Sequence, residues 1–521
     1  MNAPRHKMKN GIFAKERLSA RLTRIVSADR MRAIEAECFA HSLPAATIME
    51  SAGMAVAERV LARLRANRQH RVTVVCGKGN NGADGMVAAR HLAQAGADVV
   101  LCCIDPGAAS EANAVQRRYL EKFSVRILDE GDLDLAIAAA DVVVDALLGI
   151  GAKQPLKTAY ARAVKAMNAH ARWIVAVDVP SGVSGEPGLS VEASETVTAH
   201  AMKSEMLQLP QRAACGEIVV ADIGIPDALF VNEDGYAIDA RFVHEKLPLE
   251  RGRAGATNVH KGTFGHVAMI GGSKGKSGAI ALAAIAALRA GAGLCTVLDG
   301  KSGAKRPPAP EIMTAPLALD PRYTALCIGP GLAGALSPAA LVRMLAACFM
   351  PVVLDADALN AIATLGGEGL TKLGPGPRIL TPHPLELARL AGVETEAIQS
   401  DRLGHASRIA KESGAIVVLK GANTVIADPS GGFAVNTNGG RELAKGGSGD
   451  VLAGIIAGLI AQKPLRARDD GAFVAAAAAV HLHALAAEIA GEQKARASVL
   501  ASDICERLPD AMRLAELRAR A

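Results

Sequence analysis

The chain has 521 residues, more than a single hydrophobic core usually organises, so two or more domains are expected. Half of the residues are hydrophobic, only 3% are aromatic, and the formal net charge is +6. So few aromatic side chains leave little stacking surface for single-stranded nucleic acid, and we expect no nucleic-acid partner.

Residues 1–24 are predicted to form a basic extension. Glu16 is the one acid among them, and the cations are Arg5, Lys7, Lys9, Lys15, Arg17, Arg21 and Arg24. The segment is poor in serine and lacks the apolar core of a signal peptide. We therefore expect a solvated tail on a cytoplasmic protein.

Nine cysteines occur without a C-x-x-C pair, which predicts reduced core residues. The longest apolar stretches, 279–288 and 472–480, are short or rich in alanine, so no membrane span and no membrane partner are expected. His481 and His483 follow the second stretch, and we expect them to be an exposed helix pair rather than a metal site.

The first half alternates apolar, β-branched runs with helical segments. The predicted strands are residues 71–76, 97–103, 141–145 and 173–178. This order predicts a doubly wound parallel sheet in a domain spanning residues 25–240. Loops 77–85, 145–155 and 178–182 follow three of the strands, and the carboxyl ends of parallel strands meet at one edge. We expect these loops to form one site.

Between residues 238 and 256 the sequence becomes charged and turn-prone, so we predict a linker at 241–255 and a second domain at 256–521. Predicted strands follow at residues 265–270, 325–328, 351–355, 378–380 and 415–420. The segment 271–277 is one residue short of a Walker phosphate loop, and we reject that interpretation. Polar or glycine loops at the strand ends predict a nucleotide-dependent active site.

The most informative segment is the glycine turn 446–450, followed at once by an apolar helical stretch. Glycines let backbone N–H groups approach an anion, and a helix start adds unpaired donors. Asp450 can take a proton from a hydroxyl there, which indicates phosphoryl transfer. The alternative is an ordinary turn with an acid in the first helical turn.

With these segments in hand, the chain resembles the family of bifunctional NAD(P)H-hydrate repair enzymes. The epimerase-like motifs are 79–85 (GNNGADG), 145–149 (DALLG) and 178–182 (DVPSG). The dehydratase-like motifs are 260–265 (HKGTFG), 329–332 (GPGL), 355–360 (DADALN), 381–386 (TPHPLE), 420–424 (KGANT) and 446–450 (GGSGD). The resemblance implies two doubly wound α/β domains. The first is a Rossmann-like three-layer sandwich and the second is ribokinase-like.

For the first domain, the resemblance implies epimerisation of hydrated NADH and NADPH at C6. It places potassium on Asn81, Asp145 and Ser181. It places the hydrate on Asn80, Asn81, Gly82, Ala83, Asp84, Gly149, Ile150, Gly151, Ala152, Lys153, Gln154, Pro155 and Asp178. Asp178 is the first choice for proton transfer and Lys153 the second. The alternative for Asp178 is turn capping through Ser181 and Gly182. Ala83 replaces the family's usual glycine, so the loop would shift or be strained if that position needs a positive φ.

For the second domain, the resemblance implies dehydration of the S hydrate back to NAD(P)H, with ADP or ATP consumed. The nucleotide is placed on Lys420, Gly421, Ala422, Asn423, Thr424, Gly446, Gly447, Ser448 and Gly449. The hydrate is placed on Ala279, Gly331, His383 and Asp450, with Asp450 as the catalytic base. Mg²⁺ with the nucleotide and a homo-oligomeric assembly complete what the resemblance implies. Lys420 and His383 have alternatives as a strand-end lysine and a turn histidine.

Two other functions stay open at this point. One is a ribokinase-like kinase for a vitamin or sugar, because a glycine turn with an aspartate serves any hydroxyl acceptor. The other treats the first domain as a non-catalytic cofactor-binding module.

Overall fold

The computed structural model describes residues 23–518, except 42, 106, 108, 129, 184–187, 232–233, 248–258 and 300–308. Residues 1–22 of the predicted basic extension and residues 248–255 of the predicted linker lie outside the described residues.

All strands predicted from the apolar runs are present, with ends shifted by at most one residue. The strands of the first half are β1 Arg24–Val26, β2 Arg71–Cys76, β3 Asp98–Cys103, β4 Val125–Leu128, β5 Val142–Ala146, β6 Ile174–Val177, β7 Glu195–Ala199, β8 Met202–Lys203, β9 Glu217–Ala221 and β10 Gly235–Ile238. The strands of the second half are β11 His266–Ile270, β12 Leu294–Asp299, β13 Met313–Pro316, β14 Ala325–Ile328, β15 Val352–Leu354, β16 Arg378–Leu380, β17 Ile416–Leu419, β18 Val425–Ala427 and β19 Phe433–Asn436.

Helices connect most of the parallel strands. Those of the first half are Ala28–His41, Ala45–Asn67, Asn80–Gln94, Glu111–Leu120, Leu133–Ala139, Thr158–His170, Gln211–Ala214 and Ala240–Lys246. Those of the second half are Ser277–Arg289, Pro338–Ala346, Asp357–Ala363, Gly367–Thr371, Pro384–Ala391, Thr395–Ser400, Arg402–Ser413, Ser448–Ile460, Lys463–Arg466, Gly471–Gln493 and Ala501–Arg518.

Among the described residues, the first half contains a seven-stranded, all-parallel sheet in the order β4-β3-β2-β5-β6-β7-β9. Apolar clusters cover both of its faces, as a parallel sheet requires. β2, β5 and β6 are direct neighbours, with Val75 opposite Asp145 and Asp145 opposite Ala176. The three loops that we expected to form one site therefore leave adjacent strands.

The second sheet has twelve strands among the described residues, in the order β13-β12-β11-β14-β15-β16-β17-β18-β19-β10-β1-β8. The strands from β13 to β17 are parallel, and β18 turns back between β17 and β19. Helices pack on both faces around two large apolar clusters. The two doubly wound α/β units expected from the sequence are confirmed.

The predicted linker is wrong at its start, because residues 240–246 form a helix. Phe242 and Val243 of this helix are buried in the core of the second half. β10, just before it, pairs in parallel with β19, and β1 pairs with β10. The charged residues of this segment suggested a solvated connection, but its apolar pair packs inward.

Gly471–Gln493 is, among the described residues, the helix long and apolar enough to cross a membrane by length and composition. However, 83% of its apolar window is buried inside the protein, as expected for a core helix. His481 and His483 lie on it and are 4% and 6% exposed, so the prediction of an exposed histidine pair is wrong. The helix is apolar around its whole circumference and packs among core residues. Its two histidines are therefore buried with it.

Candidate active sites

A cleft of about 500 Å³ lies at the carboxyl edge of the seven-stranded sheet. Its lining includes the predicted residues Asn80, Asn81, Asp84, Gly149, Ile150, Gly151, Ala152 and Asp178. Gly82 and Ala83 are buried in the helix beneath it, and Lys153, Gln154 and Pro155 do not line it. The three predicted loops thus bring most, but not all, of their candidate residues to one cavity.

The first loop depends on close backbone approach. A Cβ at Gly77 would lie 1.9 Å from the Leu147 carbonyl oxygen, and a Cβ at Gly82 would lie 1.9 Å from the Gly77 carbonyl oxygen. No other residue fits at either position. Ala83 lies within the helix Asn80–Gln94 and is not among the residues with positive φ. The alanine therefore requires no shift of the loop.

Asp145 and Ser181 form a buried pair, and Asn81 lies on the cleft wall. The Ser181 hydroxyl donates to Asp145 Oδ1 at 2.6 Å, and the Ser181 backbone N–H donates to Oδ2 at 2.8 Å. Burial raises the pKa of Asp145 to about 6, although the bonds from Ser181 oppose the shift. The side-chain nitrogen of Asn81 is buried and has no hydrogen-bond partner among the described residues. The cluster is rich in oxygen atoms and carries a deeply buried carboxyl group.

Asp178 lies after β6 with a φ of +65°. Its Oδ1 accepts hydrogen bonds from the Ala199 N–H at 3.1 Å and from the Thr198 hydroxyl at 3.3 Å, and it forms an ion pair with Lys203. The Lys203 side chain is only 1% exposed. These partners are not Ser181 and Gly182, so the capping alternative does not describe Asp178. Sequence reasoning missed Lys203, whose only local signal is a lysine after an apolar pair.

The other loop candidates have structural roles. Lys153 is exposed, and Gln154 Nε2 donates to the carbonyl oxygens of Gly182 at 3.0 Å and Leu189 at 2.9 Å. Gln154 therefore fastens the second loop to the third. Lys153 is exposed and does not line the cleft, so it does not occupy the proton-transfer position that we had considered for it.

Two charged residues of the helix Ala28–His41 also line the cleft, and no motif predicted them. Arg32 Nη1 donates to the Ile150 carbonyl oxygen at 3.2 Å, and Glu35 faces the cavity. Burial raises the pKa of Glu35, and the neighbouring Asp178 carboxylate raises it further. An acid on an amphipathic helix looks like any surface acid in the sequence, so no local pattern distinguishes Glu35 from Glu37.

In the second half, the glycine turn begins the helix Ser448–Ile460. Gly447 has a φ of +91°, and Asp450 lies in the first helical turn. Burial and the Asp355 carboxylate together raise the pKa of Asp450 to about 6, and the Lys420 ammonium opposes the shift. A raised pKa near the working pH suits a general base.

Lys420 lies beside this turn and is held by acids. Its Nζ is 2.7 Å from Asp355 Oδ1 and 3.9 Å from Glu386 Oε2. Burial lowers the pKa of Lys420, but the two carboxylates outweigh that effect and leave the pKa above its ordinary value. A Cβ at Gly449 would lie 3.3 Å from the same Nζ. The glycine thus leaves room for the ammonium group at the helix start. Lys420 has two carboxylate partners, so the alternative of a surface lysine at a strand end does not describe it.

The other predicted hydrate residues, His383, Gly331 and Ala279, lie on three separate segments, and the last two are close together. His383 caps the helix Pro384–Ala391: its Nδ1 accepts from the Glu386 N–H at 3.2 Å, and Glu386 Oε2 accepts from the His383 N–H at 2.8 Å. Gly331 has a φ of +61°, and a Cβ there would lie 3.2 Å from the Ala279 Cβ. His383 is therefore a helix-capping residue whose ring remains half exposed.

The predicted nucleotide loop 420–424 contacts the first half of the chain. Asn423, with a φ of +52°, donates from Nδ2 to the Leu207 carbonyl oxygen at 3.0 Å. Buried Arg402 donates from Nη2 to the carbonyl oxygens of Leu419 at 3.0 Å and Lys420 at 3.2 Å. Gly421 and Ala422 are exposed, and the Thr424 hydroxyl donates to the Gly421 carbonyl oxygen. Arg402 was not predicted, because an arginine at the start of a helix usually indicates a surface position.

A buried histidine supports the glycine turn from below. His483 Nε2 lies 3.1 Å from the Ser448 hydroxyl. Burial, with a smaller contribution from the Lys420 ammonium, lowers the pKa of His483 to about 4, and the hydrogen bond with Ser448 opposes the shift. The imidazole is thus neutral at ordinary pH and positions the first residue of the helix. Gly446 is exposed at the opening of the turn.

Sequence comparisons match both halves. The profile described as YjeF-related protein N-terminus matches residues 45–205, and the profile of NAD(P)H-hydrate dehydratase matches residues 267–510. The chain is 38% identical to the bifunctional NAD(P)H-hydrate repair enzyme of Moorella thermoacetica, with 91% of this chain and 93% of that protein covered. It is 36% identical to the enzyme of the same name from Coxiella burnetii, with 88% and 93% covered.

A solved structure matches the second half alone. It is the ADP/ATP-dependent NAD(P)H-hydrate dehydratase from Bacillus subtilis, co-crystallised with ATP and Mg²⁺. The sequences are 31% identical, the match covers 50% of this chain and 93% of the other, and the TM-score is 0.44. Because full-length relatives match both halves at this level of identity, the chain belongs to the family of bifunctional NAD(P)H-hydrate repair enzymes.

Proposed function

We propose that this chain repairs hydrated NADH and NADPH in two steps, each performed by one half. The first half interconverts the R and S hydrates at C6. The second half dehydrates the S hydrate with consumption of ADP or ATP. The observation that carries the proposal is the presence of two unlike carboxylate sites, one at Asp178 and one at Asp450, on a chain whose full-length relatives bear this name.

In the first site, Asp178 is the proton acceptor. Lys203, Thr198 and Ala199 all contact its Oδ1, and Oδ2 has no hydrogen-bond partner among the described residues. A carboxylate held in one orientation with one free oxygen suits proton transfer at a bound hydroxyl. Lys153 has no part in this proposal, because it is exposed and outside the cleft lining.

The potassium ion assigned to Asn81, Asp145 and Ser181 fits the residues present. Asp145 is buried without a contact to any lysine or arginine of the described residues, and the side-chain nitrogen of Asn81 has no hydrogen-bond partner among them. The amide can present its oxygen, since the two ends of an asparagine amide are interchangeable in position. Hard oxygen ligands suit an alkali cation. When bound, such an ion would balance the charge of Asp145 and hold the three loops together.

In the second site, Asp450 takes the proton of the C6 hydroxyl as that oxygen attacks a phosphoryl group of the nucleotide. The resulting phosphate ester is a better leaving group than hydroxide, and its elimination restores the dihydronicotinamide. Backbone N–H groups at Gly446 to Gly449 and the ammonium of Lys420 face the charge that develops on the transferred group.

Magnesium fits this site as a companion of the nucleotide. No group of three or more histidine, cysteine or acidic side chains among the described residues is arranged to hold a metal. Mg²⁺ commonly takes one or two carboxylates and completes its shell with phosphate oxygens and water. Beyond the effect of burial, the Asp355 and Asp357 carboxylates both raise the pKa of Asp450, and they would supply the carboxylate ligands of Mg²⁺.

The test follows each epimer separately. The wild-type protein is incubated with a mixture of R and S hydrates, with and without ADP or ATP, and the return of dihydronicotinamide absorbance and the release of phosphate are recorded. Nucleotide-dependent repair of both epimers is expected. Formation of a stable phosphoester without free phosphate would contradict dehydration.

Asp178→Asn separates the two halves. The variant should clear the S hydrate at the wild-type rate but clear the R hydrate only as fast as it epimerises spontaneously. The mixture would then be repaired in two phases, and the slow phase would not depend on nucleotide concentration. Asp134→Asn, an exposed acid outside the cleft lining, is the matched control. One fast phase for both epimers in Asp178→Asn would contradict the assignment of Asp178.

A further inference from the structure

The cleft of the first half contains a carboxyl group without an assigned role. Glu35 lines the same cavity as Asp178. Among the described residues, none forms a hydrogen bond or a close ion pair with its carboxyl group. In contrast, Asp178 is committed on one oxygen to Lys203 and its neighbours. An unengaged carboxyl facing a cavity is free to exchange a proton with a bound molecule.

The helix that carries Glu35 is anchored by hydrogen bonds, although the Glu35 carboxyl group itself makes none with the described residues. Its helix is fastened at the start, where the Ala28 N–H donates to Glu205 Oε1 at 3.0 Å, and again where Arg30 Nη2 donates to the Leu229 carbonyl oxygen at 2.6 Å. Arg32, one turn before Glu35, ties the helix to the second cleft loop at Ile150. The wall that carries Glu35 is therefore rigid, as a proton-transfer group requires.

The two carboxyl groups have different surroundings. Lys203 forms an ion pair with Asp178, whereas the cation nearest Glu35 along its helix, Arg32, is engaged by Asp29 and Ile150. Burial raises the pKa of Glu35, the Asp178 carboxylate raises it further, and Lys203 and Arg32 oppose the shift. A carboxyl with a raised pKa beside a carboxylate held by a lysine is a common arrangement of an acid and a base.

We propose that Glu35 is the proton donor of epimerisation at C6 and that it works with Asp178 as the acceptor. This inference rests on the proposed epimerase function of the first half. Glu35, which lines the cleft, takes the place of Lys153, the second choice for proton transfer in the sequence analysis.

Glu35 gives its proton to the C6 hydroxyl, the C6–O bond breaks with its electron pair on oxygen, and water leaves. The lone pair of the ring nitrogen N1 forms a C6–N1 double bond. The oxygen of a water molecule then bonds to C6 on the opposite face, the electron pair of the double bond returns to N1, and Asp178 takes the proton of that water. One proton has moved from Glu35 to Asp178, and exchange with solvent restores both groups.

The experiment measures epimerisation without nucleotide, starting from one purified epimer and following the appearance of the other by chromatography. Glu35→Gln keeps the size of the side chain but cannot donate an acidic proton, so the rate should fall roughly 10²–10⁴-fold. Glu37→Gln, on the exposed face of the same helix, should retain the wild-type rate. Dehydration of the S hydrate should be unchanged in both variants.

The pH profile adds an independent measurement. Wild-type epimerisation should decline as pH rises through the pKa of Glu35, and this decline should be missing from the residual activity of Glu35→Gln. The other charged groups that face the cleft are Arg32, Lys78, Asp84 and Asp178, with Lys203 behind Asp178. Asp84 lines the same cleft, and burial together with the Asp178 and Glu35 carboxylates raises its pKa, so Asp84→Asn is measured beside Glu35→Gln. The decline belongs to Glu35 if it persists in Asp84→Asn, and it belongs to Asp84 if it disappears there.

The outcomes separate the two proposals. A wild-type rate equal to the spontaneous rate would refute the epimerase function itself. A wild-type protein that is active, together with Glu35→Gln as fast as Glu37→Gln, would overturn the role of Glu35 alone. A parallel loss of dehydration in Glu35→Gln would also overturn it, because Glu35 would then serve the fold of the chain rather than proton transfer in the first half.

Discussion

Among single residues, Asp450 is the one on which the chemistry of the second half depends. Its pKa is raised to about 6, first by burial and then by Asp355. The base form is therefore present above that pH and lost below it. The surrounding acids thus keep a carboxylate basic enough to accept a proton while Lys420 limits the shift.

Asp450→Asn should lower the dehydration rate roughly 10²–10⁴-fold, because the amide keeps size and hydrogen bonding but not basicity. Nucleotide binding, measured by calorimetry, should remain near the wild-type value. The wild-type rate should rise with pH through about 6, and this rise should be missing in the variant. Asp469→Asn, an exposed acid, is the control. Near-normal turnover of the S hydrate by Asp450→Asn would rule out the role of base.

His483 should make stability depend on pH. The folded protein keeps the imidazole neutral, with a pKa lowered from 6.5 to about 4, so the unfolded state binds the extra proton between these values. The contribution to the free energy of unfolding is complete above pH 6.5 and is lost as pH falls towards 4. The shift corresponds to a free-energy change on the order of 3 kcal/mol.

The measurement is urea unfolding across this pH range. His483→Gln cannot titrate and should show a flatter dependence of stability on pH, whereas His170→Gln, on an exposed helix end, should keep the wild-type dependence. Equal slopes in His483→Gln and the wild type would mean that another group is responsible.

Among the elements, the glycine turn and its helix form a unit whose geometry depends on backbone conformation. Gly447 adopts a φ of +91°, and a Cβ there would lie 2.7 Å from Leu282 Cδ1. A left-handed conformation costs an ordinary residue roughly 1–2 kcal/mol. The backbone conformation of Gly447 sets the direction of the neighbouring N–H groups, which we assign to the transferred phosphoryl group.

Gly447→Ala should therefore lower the free energy of unfolding by about 1–2 kcal/mol and raise the KM for the nucleotide. Gly367→Ala is the matched control for stability, because Gly367 has no positive φ and no atom within 4 Å of an added Cβ. Equal stability of the two variants, measured by urea unfolding, would show that the turn accommodates a side chain by moving.

At the scale of the whole molecule, the two halves share a sheet. β10 extends the second sheet beside β19, with Tyr236 opposite Ala434 and Ile238 opposite Asn436. The helix that follows β10 fills the core of the second half with Phe242 and Val243. We therefore propose that the folding unit of the second half begins at β10 and not after the predicted linker.

A fragment of residues 235–521 should consequently be more stable than a fragment of residues 256–521. The shorter fragment exposes the edge of β19 and loses two buried side chains, each worth roughly 1.5–3 kcal/mol. Thermal unfolding and light scattering of the two fragments provide the measurement. Equal midpoints and equal solubility would show that residues 256–521 are sufficient for the second core.

Local sequence alone predicted the strands that lead into the two sites and some of the residues of each site. Apolar β-branched runs predicted the strands from Arg71 to Leu419 that matter here, because a buried parallel strand needs such residues on both faces. Loops after those strands predicted Asp145, Asp178 and Lys420, because the ends of parallel strands converge at one edge. The turn 446–450 predicted the helix that carries Asp450.

Tertiary structure alone decided which distant side chains meet. Glu35 and Lys203 reach Asp178 from segments 143 and 25 residues away along the chain, and nothing in their local sequences differs from that of a surface residue. The burial of His483 and the pairing of β10 with β19 likewise depend on neighbours that are remote in sequence. A local pattern records which face of an element is apolar, but the pKa of a carboxyl and the partner of a strand edge are set by the groups that folding brings next to them.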